Sequence, residues 1–189
     1  MVLHCIPTLS GGGAERQLKL LAPELVAQGV GVAVFSRFGT GEVEFLTERG
    51  ARCLPIRARG NHNPRLVLEL ARAIRATRPQ IVQSWLPQMD ILCALLTPWT
   101  GAKWILSERC SPAAYPVTPK NILRRIGGNR ADMVIANSPS GLPVWGNQPK
   151  MVIANAIDLA EVDQVPDGNL SDKAPLCGRT VILSVARLA

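Results

Sequence analysis

The chain has 189 residues, 47% hydrophobic and 19% charged, which supplies a folded core and excludes a disordered segment. Lys and Arg number 21 against 14 Asp and Glu, and the net charge of +7 suits a polyanionic partner. Aromatics at 4% are too sparse for a platform that stacks single-stranded nucleic acid, and no apolar run approaches the roughly 18 residues that a membrane span needs.

In chain order, residues 2–9 read as a buried strand, and residues 14–28 carry Leu18, Leu21 and Leu25 at helical spacing, with Pro23 expected to kink the helix. Strands are predicted over 30–36, 51–56, 80–86, 104–107, 131–136 and 151–154. Helices are predicted over 42–49, 65–77, 90–96 and 119–126, with Pro64 suited to the first turn of the second of these. Strand runs alternating with helical patterns indicate an α/β fold: a Rossmann-like parallel sheet with helices on both faces. After Ile157 the composition turns polar. Residues 1–157 therefore read as one domain, 158–179 as a linker, and 180–189 as the first strand of a second domain. That last run, TVILSVARL, is apolar and β-branched, and self-association through it is expected. No basic segment leads into an apolar stretch at the N-terminus, so no signal peptide is expected. The five cysteines are scattered, no two at metal-ligand spacing, and fit buried thiols in a reducing compartment.

The stretch LSGGGAERQ sets Gly11, Gly12 and Gly13 between the first strand and the first helix. Glycines there let backbone N–H groups approach an anion at a helix N-terminus. The same residues also serve a plain tight turn, with Ser10 near the cap and Glu15 in the first helical turn. The dinucleotide fingerprint fails because its last position is Arg16, and the Gly-Lys-Ser/Thr of a P-loop is absent.

LSGGGAERQ after an apolar strand resembles the first loop of retaining glycosyltransferases of the GT-B fold, family 4. RPQIVQSWL resembles that family's fourth strand, ADMVIANS a late strand, KMVIANAID its lysine-led strand ending Asn-Gly-Ile-Asp, and VILSVARLA the opening strand of its second domain. The resemblance implies the N-terminal, acceptor-side half of a two-domain enzyme. The intact enzyme would move a sugar from a nucleotide-sugar donor to a hydroxyl acceptor, glycan or lipid-linked, with retention; the alternatives are a non-catalytic Rossmann-like module that binds a phosphorylated ligand, and a sugar-nucleotide epimerase of the same two-domain build. The resemblance implies no cofactor and no metal. It brings the loop of Gly11, Gly12, Gly13 and Glu15 near the donor phosphates, and it matches Arg187 to an arginine that neutralises diphosphate in the second domain. Because the matching donor-site residues lie beyond Ala189, the fragment alone is expected to be inactive. Two departures stand out. Gln83, Trp85 and Gln88 occupy the region where the family often has a histidine, and Ala156 replaces the glycine after Asn155.

Glu108 and Arg109 end the fifth strand on the ligand side, and Arg109 suits an anionic or hydroxyl-rich acceptor or a rim ion pair with Glu108. Asn137 and Ser138 are similarly placed but also suit a helix cap. His4 reads as a satisfied core residue and His62 as solvated, and Trp85 and Trp104 as packing. The basic cluster of Lys120, Arg124, Arg125 and Arg130 around Ile122, Leu123 and Ile126 suits either an anionic lipid surface or a solvated face over the core. The expected location is cytoplasmic, with peripheral contact on the inner face of the membrane, and no nucleic-acid partner.

Overall fold

The computed structural model describes residues 1–60, 63–111 and 115–164, and it divides into two units, residues 1–156 and 157–189. The first unit runs β1 (Val2–Thr8), α1 (Gly13–Ala27), β2 (Val32–Arg37), α2 (Glu42–Glu48), β3 (Arg52–Pro55), α3 (Arg65–Thr77), β4 (Ile81–Trp85), α4 (Leu86–Leu96), β5 (Lys103–Glu108), α5 (Pro119–Gly128), β6 (Met133–Ala136) and β7 (Lys150–Val152). All seven strands form one parallel sheet in the order β3-β2-β1-β4-β5-β6-β7. The alternating pattern therefore led to the right class.

Order reverses between β1 and β4, where His4 is paired with Gln83. Because crossovers are right-handed, strands added in opposite directions carry their helices on opposite faces. On one face α1 and α2 bury Ile6, Leu9, Leu18, Val34, Leu46 and Trp85. On the other α3, α4 and α5 cover Leu3, Leu70, Val82, Met89, Trp104 and Leu106. Both faces thus carry helices. The α1 side of β5–β7 is the exception, covered by none of the first unit's described helices, and Ile153 just past β7 is half exposed.

The boundaries differ locally from expectation. α4 begins at Leu86 rather than at residue 90, because Pro87 sits in its first turn, where a missing N–H costs nothing. α1 continues through Pro23 to Ala27. α5 starts on Thr118, whose side chain accepts from the Asn121 N–H at 3.3 Å, with Pro119 at the first helical position. In the second unit, five residues of the expected linker form a helix, α6 (Leu159–Asp163), opened by Asp158, which accepts from the Ala160 N–H at 3.0 Å. His62, Arg187 and the expected strand over 180–188 lie outside the described residues.

Candidate functional site

In an open α/β sheet, ligands bind beyond the carboxyl ends of the strands at the reversal of strand order. Here that place lies between the ends of β1 and β4, and the glycine loop occupies it. Gly11 has φ +76, a left-handed conformation that glycine takes without strain. Gly12 is the N-cap of α1 and has no side chain to cap it. Among the described residues none accepts from the N–H groups of Gly13 and Ala14. Instead the Glu15 carboxylate folds back over Gly12, so closely that a Cβ there would collide with it. An acidic group thus sits at the positive end of the helix, where an anionic ligand would go.

The end of β4 turns sharply into α4. Leu86 has φ +72, a conformation costing a branched residue on the order of 1–2 kcal/mol. Trp85, just before it, is fully buried, and its indole N–H donates to His4 Nδ1 at 3.3 Å. His4 is therefore bonded at one nitrogen only, since Nε2 has no partner. Burial pushes its pKa down to about 4, so it is neutral at pH 7.

Glu108 and Arg109 part company at the end of β5. The Glu108 carboxylate is buried and fully engaged. One oxygen accepts from the Arg109 and Cys110 N–H groups at 2.9 and 3.0 Å and from the Tyr115 hydroxyl at 3.0 Å, and the other from Arg124 at 3.0 Å. Arg124, expected on an exposed basic face, turns inward: its side chain is 3% exposed and also bonds Asp90 at 2.6 Å. Asp90 in turn accepts from Ser84 at 2.6 Å. Burial pushes the Asp90 carboxyl up to about 6 against the pull of Arg124. Burial also works against the Arg124 charge, but the Asp90 and Glu108 carboxylates outweigh it and raise its pKa. The pattern of the helix alone held no sign of this, because the two carboxylates lie 34 and 16 residues away.

Arg109 faces the opposite side. Its guanidinium lies 4.3 Å from the centre of the Trp85 ring and donates to Asn155 Oδ1 at 3.1 Å, and its Nε has no partner. Burial lowers its pKa, offset in part by Glu108. The rim ion pair with Glu108 is not formed, since Glu108 pairs with Arg124 instead. Arg109, Trp85 and Gln83 line a cavity of about 400 Å³ between α1 and the sheet, floored by Ile81, Ile105 and Ile135. Gln83 is fixed there by donating to Ser107 at 2.8 Å. Gln17 closes one wall with two bonds to Ala156, donating to its carbonyl at 2.8 Å and accepting from its N–H at 2.7 Å. Sequence reasoning gives Gln17 and Asn155 no site role, and their one signal is their place within the segments LSGGGAERQ and KMVIANAID.

Gln88 does not join this group. It lines a groove on the other face of the sheet with Leu66 and Leu123. Asn137 and Ser138 lie at the end of β6, half-buried: the Asn137 N–H donates to the Glu108 carbonyl at 3.2 Å, and Ser138 stands at the N-cap position of a 3-10 turn without a capping side-chain bond, its hydroxyl bonding Ser140 at 2.8 Å. Trp104 packs as expected and donates to Ser84 at 2.9 Å. Among the described residues no group of three His, Cys, Asp or Glu side chains could hold a metal ion, and no helix is long and apolar enough to cross a membrane.

Solved structures share this architecture. The Anabaena protein Alr3699/HepE, crystallised with UDP-glucose, superposes with a TM-score of 0.66 at 18% identity, covering 84% of this chain and 44% of that one. A glycosyltransferase from Rickettsia africae gives 0.63 at 20%, covering 86% and 44%. Sucrose-phosphate synthase from Thermosynechococcus elongatus gives 0.63 at 14%, covering 85% and 49%. The chain thus spans less than half the length of these structures. No curated protein sequence matches it. The sequence profile described as Glycosyltransferase Family 4 matches residues 11–161, most of the chain, and the protein belongs to that family.

Proposed function

We propose that this chain is the acceptor-side half of an enzyme that transfers a sugar from a nucleotide-sugar to a hydroxyl acceptor, glycan or lipid-linked, with retention at the anomeric carbon and without a metal or other cofactor. The observation that carries the reading is the family match across a domain whose glycine loop opens a helix at the reversal of strand order. The Anabaena relative was crystallised with UDP-glucose, which supports a nucleotide-sugar donor.

In this reading the N–H groups of Gly12, Gly13 and Ala14 meet the donor phosphates or the reacting centre once the Glu15 carboxylate swings away. That is stabilisation of developing charge by fixed dipoles. On the acceptor side, Arg109 presents its unpaired Nε and Gln83 its amide, with Asn137 and Ser138 at the rim. Trp85 serves as the platform under Arg109, and Glu108 holds the backbone that aims it. Arg187 would act from the donor half, and Gln88, on the far face, has no part in this site. The location is cytoplasmic, and the apolar run over 180–188 supports self-association of the isolated chain. Deletion of that run would then lower the sedimentation coefficient.

The test is transfer from radiolabelled nucleotide-sugars by the enzyme containing this domain, over glycan and lipid-linked acceptors. The product's anomeric proton, followed by NMR, reports retention. The isolated chain should give no product. Transfer with inversion, or transfer by this chain alone, contradicts the proposal.

A further inference from the structure

α5 is built inside out. A helix packed on a sheet ordinarily turns its apolar residues inward and its charges to water. Here the residues turned inward are Arg124 and Gly128. Arg124 is held by Asp90 and Glu108 and lies 4.5 and 5.0 Å from the ring centres of Tyr115 and Trp145. Because the interior uses the charge, the apolar residues are left outside: Ile122, Leu123 and Ile126 are 47, 54 and 60% exposed.

The neighbouring element extends this surface. Gly127 lets α5 approach α4 closely, since a Cβ there would stand 2.7 Å from the Ala94 side chain. The next residue, Leu95, is half exposed, and Trp99, in the 3-10 turn after α4, is 86% exposed. A tryptophan so open to water is out of place unless its ring meets an interface. Lys120, Arg125 and Arg130 are exposed around these residues. Asp90 is the single carboxylate in segments 86–101 and 115–130, and it is buried. The face is therefore apolar at its centre and cationic at its rim, and these two segments present no exposed carboxylate; the Asp132 carboxylate, just beyond Arg130, is paired with Lys103.

We propose that this face of α5 and the end of α4 docks on an anionic lipid bilayer. The apolar side chains would enter the acyl boundary and the three cations would meet lipid phosphates. A second copy of the chain is the poorer occupant, because a symmetric pair would set these cations against themselves. The inference does not depend on the transfer reaction, because its test reads binding alone.

The experiment is co-sedimentation of the full chain with vesicles of phosphatidylcholine, with and without phosphatidylglycerol, at low and physiological salt. The expected result is partition onto the anionic vesicles alone, weakened by salt. Leu123→Gln/Ile126→Gln and Lys120→Gln/Arg125→Gln should each lower that partition about tenfold or more, with unchanged thermal melting because all four side chains are exposed. In the unsubstituted chain, indole emission should shift to the blue on anionic vesicles, and Trp99→Phe should remove the shift. Absence of binding, equal binding to neutral vesicles, or binding unmoved by both double variants overturns the proposal. So does a vesicle-free dimer that the same variants dissolve, since a second copy would then own the face.

Discussion

Glu108 and Arg109 are adjacent at the end of β5 and differ in almost every physical respect. The Glu108 carboxylate has four donors and no exposure, and it points toward α5. Arg109 points to the other face, lies over an aromatic ring, makes one side-chain bond and leaves its Nε unmatched. A buried polar group whose bonds are all made has nothing left to offer a ligand, whereas one left partly unpaired is held ready at a cost that a ligand can relieve. The Glu108 side is scaffold and the Arg109 side is site. If so, substitutions on the first should damage stability, and those on the second should damage binding.

The largest effect should come from Arg124→Met. Removing the arginine leaves Asp90 and Glu108 as buried carboxylates without their cation, and breaking such a group costs about 3–5 kcal/mol. Urea denaturation at neutral pH should show the loss. A cost below about 1 kcal/mol would mean that water reaches the carboxylates, and the scaffold side would lose its meaning.

His4 sets the next effect, through pH. Its folded pKa of about 4 lies below the ordinary value of 6.5, so in that window the unfolded chain binds a proton that the native chain refuses. The His4 contribution is present above pH 6.5 and is lost as pH falls toward 4, by about 2–3 kcal/mol at pH 4.5. Asp90 works in the opposite sense. Its folded pKa is raised to about 6, so its contribution is present below its ordinary pKa near 4 and is lost as pH rises through 6. Asp90 is common to both chains, so the comparison of His4→Gln with the parent isolates the histidine. The variant's stability difference between pH 7 and pH 4.5 should shrink by that amount.

The central strands were legible because a parallel sheet buries both of their faces, so β1 and β2 read as largely apolar runs, whereas the exposed edge strands β3 and β7 carry a weaker signal. The place of the glycine loop was legible because three successive glycines between an apolar run and a helical pattern mark a turn that opens a helix, a reading that serves a plain turn and an anion site alike. The bonding state of the rim was not. Whether Glu108 or Arg109 is free depends on Arg124, a residue on a helix whose own pattern points it outward. Gln83 and Gln88 look alike in the segment QSWLPQ, yet the left-handed turn at Leu86 sends them to opposite faces. Such facts live in tertiary contacts between distant residues, and local periodicity does not carry them.

On the site side, Arg109→Gln should cost only about 1 kcal/mol of stability, the worth of one hydrogen bond and one cation–π contact at a partly open position. Against that small loss, the enzyme containing this domain should lose acceptor affinity, read as a raised KM. An Arg109→Gln variant as unstable as Arg124→Met would erase the contrast.

The smallest expected effect concerns the other carboxylate of the rim. Glu15, like Glu108, is nearly buried, but it lies at the N-terminus of α1 against Gly12, where a ligand phosphate would sit. Two anions about 4 Å apart in water repel by about 1 kcal/mol, so neutralising Glu15 should tighten binding of inorganic phosphate about fivefold. Glu15→Gln keeps the shape and removes the charge, and the amide shifts of Gly12, Gly13 and Ala14 in an NMR titration would report the affinity. Gly12→Ala offers an independent route, because its methyl group must push the carboxylate off the helix end while the charge remains. Both variants should bind phosphate more tightly than the parent if Glu15 acts as a movable stand-in for the ligand. If neither tightens binding and the loop amides stay still, Glu15 is a fixed part of the helix start, and the glycine loop belongs with Glu108 on the scaffold side.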